Sequence, residues 1–407
     1  VSLAAPPQQP APATPGTSDG GSARDPALSL YLMHMRAAGL LDNTEADLEE
    51  VEGILQAAQD RYVAGDPLGS AVLLFELSHS PRYETFQGLP IMSSVNYHLG
   101  VALESYGAEL TALEAYRAVI EVGPDDAYFR PALRRHVDVA LASKDFPRGL
   151  AELDASLAAG KVDVNALDPI DASERHYLEG RALMTQGDVQ GSLDALSRVD
   201  KTSRFSTASL YLAGLIHAGR GSFRKAEAAF CAVVGGKYNS TAVYYVDARY
   251  FPIRDLAQLG LGRIAHEERR HGHAFYHYFQ IPEESEKLPA ALYEAAWTMA
   301  EEGEHAVARG LVKDLRERFP NAPQSAEARL LDAMLALYDC DFREAEAAFE
   351  AFIEDLAPVT DHIEEIQKDP AKIRALHEQM LELRRADRDL SGEPPSRRLL
   401  LAMLDED

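Results

Sequence analysis

Tyr97-His98-Leu99-Gly100, with Ala112 twelve residues after the glycine, Tyr116 four beyond that and Pro124 a further eight on, is the stretch that decides the fold. The same order of small residue, alanine and ring returns along the chain. Gly180, Gly187-Asp188-Val189 and Leu196 carry it next, then Gly214, Phe223, Ala226 and Phe230. Leu261-Gly262, Ala274 and Tyr278 follow, and Ala296, Gly303, Ala308 and Pro320 after them. Ala333, Phe342, Ala345 and Phe349 close the run. Gly65-Asp66 with Ala71 and Phe75, and Asp145-Phe146 with Leu153, are weaker copies, and the copy around His136 has lost its glycine and alanine. Eight paired-helix units between about Glu49 and Pro358 account for the pattern. Small residues let two helix backbones approach, and the ring fills the space toward the next pair. GD, GS, GE or CD pairs mark the turn within each unit, while Pro124, Pro320 and Pro358 mark exits between units. One such pair cannot bury its own apolar face, so stability must come from stacking on neighbours.

Composition agrees. The 407 residues are 46% hydrophobic and only 8% aromatic, which favours helix packing over sheet packing. The net charge of −25 repels nucleic acid and anionic lipid headgroups, so neither is an expected partner. No apolar run approaches the ~18 residues of a membrane-spanning helix. The strongest strand candidate is residues 241–246, TAVYYV, which fits a helix equally well. The links Val162 to Asp171 and Gly235 to Arg254 exceed a tight connection, so a bend or a short insertion is expected at each.

The ends read differently from the middle. Residues 1–26 are rich in proline and alanine and predict a disordered tether, and Val1-Ser2-Leu3-Ala4-Ala5 resembles the end of a secretory leader. Residues 27–48 predict an N-terminal capping helix, with Thr44 and Asp47 as a capping pair for the helix that follows. Residues 359–407 are highly charged and predict a helical cap or the start of a further segment. An exported, periplasmic protein of a Gram-negative bacterium is the expected setting; a piece of a longer cytoplasmic polypeptide, as its regulatory or assembly module, is the alternative.

The spacing resembles the tetratricopeptide repeat, a helical hairpin with a period of roughly 34 residues. The resemblance covers about three quarters of the chain and implies an all-α solenoid, a right-handed superhelix whose first helices line a concave groove for partner peptides or helices. The segment from Phe319-Pro320 through Phe352 is similar to bacterial envelope proteins of this family, among them the Tol–Pal coordinator and the helical lipoprotein of the barrel-assembly machinery. Residues 276–297 resemble repeat proteins of myxobacterial envelopes, some tied to gliding motility. The expected role is a protein-interaction scaffold, not an enzyme, with no cofactor. Placed in the repeat frame, Tyr97, Arg134, Tyr177, Arg181, Tyr211, Arg263, His266, Tyr293 and Trp297 fall on or near the groove, and aromatics and arginines concentrate binding energy at interfaces. For the tyrosines, packing between hairpins is an equal reading. Tyr97 and Val101 stand where a carboxylate clamp would need asparagine and lysine, which excludes that mode of chaperone-tail binding.

Little else carries chemistry. His266, His271, His273 and His277 form the only metal-like cluster, and a metal-dependent enzyme built there is the outside alternative. Cys231 and Cys340 lie about three hairpins apart, too far for a disulfide, and are expected to be buried thiols. The Gly260-Leu261-Gly262 triplet has no preceding strand and belongs to the repeat.

Overall fold

The computed structural model describes residues 48–236, 243–246 and 249–386. The leader, the capping region before Leu48 and everything after Ala386 lie outside the described residues. The chain divides into two compact units, residues 1–87 and 88–407. In the first, α1 (Leu48–Val63) packs on α2 (Pro67–His79), and a 3-10 turn, Pro81–Phe86, follows. Tyr83 and Arg82 of that turn both donate to the Glu50 carboxylate, at 3.0 and 2.8 Å, which ties the turn back to α1.

The second unit holds seven further hairpins: α3 (Pro90–Tyr106) with α4 (Glu109–Ile120), α5 (Phe129–Ala142) with α6 (Phe146–Ala159), α7 (Pro169–Thr185) with α8 (Val189–Ser197), and α9 (Ser206–Gly219) with α10 (Phe223–Gly235). Then come α11 (Ile253–Glu267) with α12 (His271–Tyr278), α13 (Leu288–Glu302) with α14 (His305–Arg318), and α15 (Pro323–Tyr338) with α16 (Phe342–Gln367); α17 (Pro370–Ala386) ends the described chain. Within this unit each second helix also packs on the first helix that follows it, and first helices touch between α5 and α7, α9 and α11, α11 and α13, and α13 and α15. This is the expected all-α solenoid.

Small residues and rings mesh as their spacing predicts. Tyr116, Phe230 and Tyr278 each lie against the glycine sixteen positions earlier, Gly100, Gly214 and Gly262, and Leu196 does the same to Gly180. Phe230 is only 1% exposed and is held on both sides: a Cβ on Gly214 of its own hairpin would come 2.5 Å from the ring, and one on Gly260 of the next hairpin 2.7 Å. No side chain fits at either position without the ring moving.

All eight hairpin turns use one residue of left-handed backbone. Five are glycine, as at Gly107 (φ 92°) and Gly303 (φ 85°), but Lys144 (φ 60°), Arg269 (φ 56°) and Cys340 (φ 62°) hold it with a side chain attached. The next residue opens the second helix, and where it is aspartate it caps it: Asp66, Asp145, Asp188 and Asp341 each accept a backbone N–H three residues on. A Cβ in the left-handed region costs roughly 1–2 kcal/mol, partly offset by the greater unfolded-state entropy of glycine. The triple substitution Lys144→Gly, Arg269→Gly, Cys340→Gly is expected to raise stability by about 1–2 kcal/mol in total. Urea titration checks this; an unmoved or lowered midpoint contradicts it.

The two long links both carry insertions. Residues 164–166 form a 3-10 turn between α6 and α7, capped by Asp163, with Val162, Val164 and Leu167 packed on the core. Between α10 and α11, β1 (Val243–Val246) pairs antiparallel with β2 (Arg249–Pro252), Val246 opposite Arg249 and Val243 opposite Pro252. TAVYYV therefore contributes a strand. Valine and tyrosine suit a paired strand, and the facing Arg-Tyr-Phe-Pro run supplies the partner that decides between strand and helix.

Two expectations need correction. Pro358 does not end a hairpin: α16 runs through it to Gln367. Val359 beside it is buried, which holds the helix in place there, and the Thr360 hydroxyl donates to the Leu356 carbonyl at 3.2 Å. Neither thiol is buried: Cys231 and Cys340 are both exposed. Phe230 takes the packing position next to Cys231, and Cys340 occupies a left-handed turn, outside the helix contacts.

Candidate protein-docking surface

All nine candidate groove residues stand on first helices: Tyr97 on α3, Arg134 on α5, Tyr177 and Arg181 on α7, Tyr211 on α9, Arg263 and His266 on α11, Tyr293 and Trp297 on α13. They do not share one role. Tyr177 and Tyr211 belong to the core, at 2% and 8% exposure. Tyr177 stacks on Phe205 with ring centroids 4.1 Å apart, and Tyr211 tilts against Phe230 at 5.7 Å. For these two the packing reading is the correct one, because a stacked ring with no exposed face offers nothing to a partner. Tyr97 is half-buried in a cluster with Tyr128, His98 and Tyr116, its centroid 5.2 Å from that of Tyr128. Arg181 lies over the Phe146 ring at 4.3 Å and reaches the Tyr177 hydroxyl at 3.4 Å.

Arg134 sits beside a charge network that joins three hairpins. Glu174 of α7 is wholly buried, and Arg204, in the link before α9, grips it with Nε at 2.9 Å and Nη2 at 2.7 Å. The same guanidinium reaches Asp138 of α5 at 2.7 Å and donates to the Arg134 carbonyl at 3.3 Å, while Arg134 Nε stands 3.8 Å from Glu174. Burial pushes the Glu174 and Asp138 carboxyls upward against the opposing pull of Arg204.

The remaining four residues converge. Arg263, His266, Tyr293 and Trp297 line one pocket of about 260 Å³ between α11 and α13, together with Glu267, Glu294 and the Tyr278 ring. Arg263 is clamped by Glu294 through contacts of 2.6–3.0 Å yet stays 58% exposed, so its outer face remains open. Thr298 donates its hydroxyl to the Glu294 carbonyl (2.8 Å) and lies 2.9 Å from His266 Nδ1. With that hydroxyl proton committed, Nδ1 is the donor toward Thr298, and Nε2 stands 3.8 Å from Glu301. Burial and Glu327 push the Tyr293 hydroxyl up to about 12, so it remains a donor. The pocket thus presents an indole, a phenol, a guanidinium face and an imidazole nitrogen around a small concavity. Those groups can seat an apolar side chain while hydrogen-bonding a peptide backbone.

The repeat frame put these four on or near the groove, among nine residues, but not Glu294, which fixes Arg263, or Thr298, which holds His266 Nδ1. Both were reachable: Trp297 is Arg263 plus 34, and Glu294 lies one helical turn before it. The histidines do not form a metal centre as placed. His277 Nδ1 donates to Gln258 (2.9 Å), His271 lies between Glu301 and Glu302 at 3.9 and 3.5 Å, and His273 is exposed. Among the described residues no group of three or more His, Cys, Asp or Glu is arranged to hold a metal ion, and no helix is long and apolar enough to cross a membrane.

No family model and no curated protein matches the chain. Solved structures do. The chain is similar to a tetratricopeptide repeat protein from Parabacteroides merdae ATCC 43184, at 12% identity over 76% of this chain and 98% of that one, TM-score 0.40. It is similar to the apo form of RapI at 11% identity, 88% and 97% coverage and TM-score 0.47. It is also similar to the TPR domain of P58(IPK) at 13% identity, 84% and 100% coverage and TM-score 0.23. Identities this low concern fold alone, and the solenoid rests on its own hairpins, left-handed turns and ring-on-glycine contacts.

Proposed function

We propose that this solenoid is a docking scaffold whose row of first helices receives a peptide or helix of a partner protein, anchored in the α11–α13 pocket. The observation that carries the reading is the convergence of Trp297, Tyr293, Arg263 and His266 on one open concavity. Tryptophan, tyrosine and arginine are the residue types that dominate interface energetics, and here Arg263 is pre-ordered by Glu294, Tyr293 by Glu327 and the neighbouring His266 by Thr298. A photo-crosslinking amino acid at position 297 is expected to give a discrete partner adduct in the source cells, while the same group at exposed Glu350 of α16 gives none. Trp297→Ala is expected to weaken that partner about 30-fold, the effect of a ~2 kcal/mol anchor. Equal adducts at both positions, or unchanged affinity, would remove the pocket from the mechanism.

The cell envelope is the compartment this proposal carries, from the leader composition and the envelope-type resemblance of the later repeats, with an envelope-assembly or motility machine as the setting. Osmotic-shock fractionation of source cells is expected to release the protein with periplasmic markers; recovery with cytoplasmic markers would move the scaffold inside the cell.

A further inference from the structure

On the second-helix side, a cleft of about 790 Å³ opens between α8 and α10, with one stripe of α9 between them. Its apolar lining comes from Leu193, Val199, Leu210 and Val233, of which Leu210 is 37% exposed. Leu210, Ala213 and His217 lie at i, i+3 and i+7 on α9, a single stripe of that helix. The polar lining is unusual for a chain of net charge −25. Lys201 stands at the entry end of α9, and Arg220 and Lys225 stand at its exit end with His217 between the core and the rim. Asp194 is the one carboxylate in the lining, and it already accepts a hydrogen bond from Gln190 at 2.9 Å.

Elsewhere in the second unit arginines such as Arg175, Arg204 and Arg263 hold carboxylates at 2.6–2.9 Å. Among the described residues, Lys201, Arg220 and Lys225 are in no ion pair; the nearest polar partner of Arg220 is the Gln190 side-chain oxygen at 3.5 Å. Burial, Lys225 and Arg220 together hold the His217 imidazole below its ordinary value, so it adds a neutral hydrogen-bonding group. Cations therefore flank both ends of an apolar strip about as long as α9, whose fourteen residues span roughly 20 Å. An extended peptide covers that length in about six or seven residues.

We propose that this cleft is a second docking site, separate from the first-helix pocket, and that its occupant is a short extended segment of a partner protein with carboxylates at both ends and aliphatic side chains between. Charge complementarity selects it. At physiological salt the Debye length is about 8 Å, so the protein's overall negative charge is largely screened while cations in contact with the ligand are not. The apolar strip distinguishes a peptide from a simple anion, because an inorganic anion leaves Leu210 and Val233 untouched.

The test is fluorescence polarisation of the labelled heptapeptide DELVLED on the whole chain. Saturable binding is expected, weakened roughly tenfold or more by Arg220→Glu with Lys225→Glu and weakened by added salt. Leu210→Asp should also abolish it, whereas Trp297→Ala should leave it intact, which separates this site from the first-helix pocket. Far-UV circular dichroism confirms that each variant is folded. The proposal is overturned by absence of saturable binding, by equal binding of the amide analogue NQLVLQN, by undiminished binding to the charge-reversed variant, or by displacement of the peptide by equimolar inorganic phosphate.

Discussion

Replacing Phe230 with alanine is expected to lower the stability of the stack by about 3–5 kcal/mol and to break its unfolding into two steps. The ring is 1% exposed, and its two edges lie on glycines, Gly214 in the same hairpin and Gly260 in the next. Glycines cannot move side chains into the space, so the cavity cannot collapse, which puts the cost at the upper end for a buried phenylalanine. Phe230 also precedes the longest link in the second unit, so it carries the nearest-neighbour coupling between α9–α10 and α11–α12. The chain has one tryptophan, Trp297, beyond that junction. Urea unfolding followed by its fluorescence reports the later hairpins, and circular dichroism reports the whole. The two curves are expected to coincide in the native chain, to separate in Phe230→Ala and to stay together in Phe230→Leu. Coincident curves in the alanine variant, with a loss under about 1 kcal/mol, would mean the junction is held by something else.

Arg204→Met comes next, at about 3 kcal/mol near neutral pH. Glu174 is fully buried and Arg204 supplies its charge-assisted hydrogen bonds; removing the guanidinium leaves a buried carboxylate with Arg134 Nε 3.8 Å away as its nearest cation. Arg204 is itself 37% exposed, which keeps the figure at the low end for a buried pair. The pH dependence follows from the sign of the shift. Burial already raises the Glu174 carboxyl, and without Arg204 it rises further. A carboxyl raised on folding costs stability when ionised, above its folded value, and that cost disappears as pH falls through it. The gap between variant and native chain should therefore narrow as the pH is lowered from neutrality. Glu174→Gln in the Arg204→Met background should recover most of the loss at pH 7. A gap independent of pH would place the cost in losing the guanidinium that lies over the Phe205 ring.

The repeat was legible because it is written in packing residues. Gly100 with Tyr116, Gly214 with Phe230 and Gly262 with Tyr278 share one offset, and the offset alone forces two helices together with a ring between them. The polar ties between hairpins were less legible, though they too keep a register: His266 with Thr298, Arg263 with Glu294, His305 with Asp339 and Arg204 with Glu174 are all 30–34 residues apart. A reading that paired opposite charges at that offset would have found Glu294 and Glu174. Tyrosine was ambiguous for a physical reason. Tyr177, Tyr211 and Tyr293 sit at equivalent places on three first helices, α7, α9 and α13, and whether a neighbouring ring such as Phe205 covers them decides between core and groove. The cleft beside Leu210 left no sequence signal, because its three cations come from a link, a helix end and a helix start.

Pro358 has a mechanical consequence. With α16 continuing past it, the last hairpin ends in an arm of nine residues, roughly 14 Å long at 1.5 Å per residue. Proline has no N–H to give the carbonyl four positions back, so the helix is softest where that arm begins. A flexure of about 20° there swings the Gln367 end by ~5 Å and carries α17 with it.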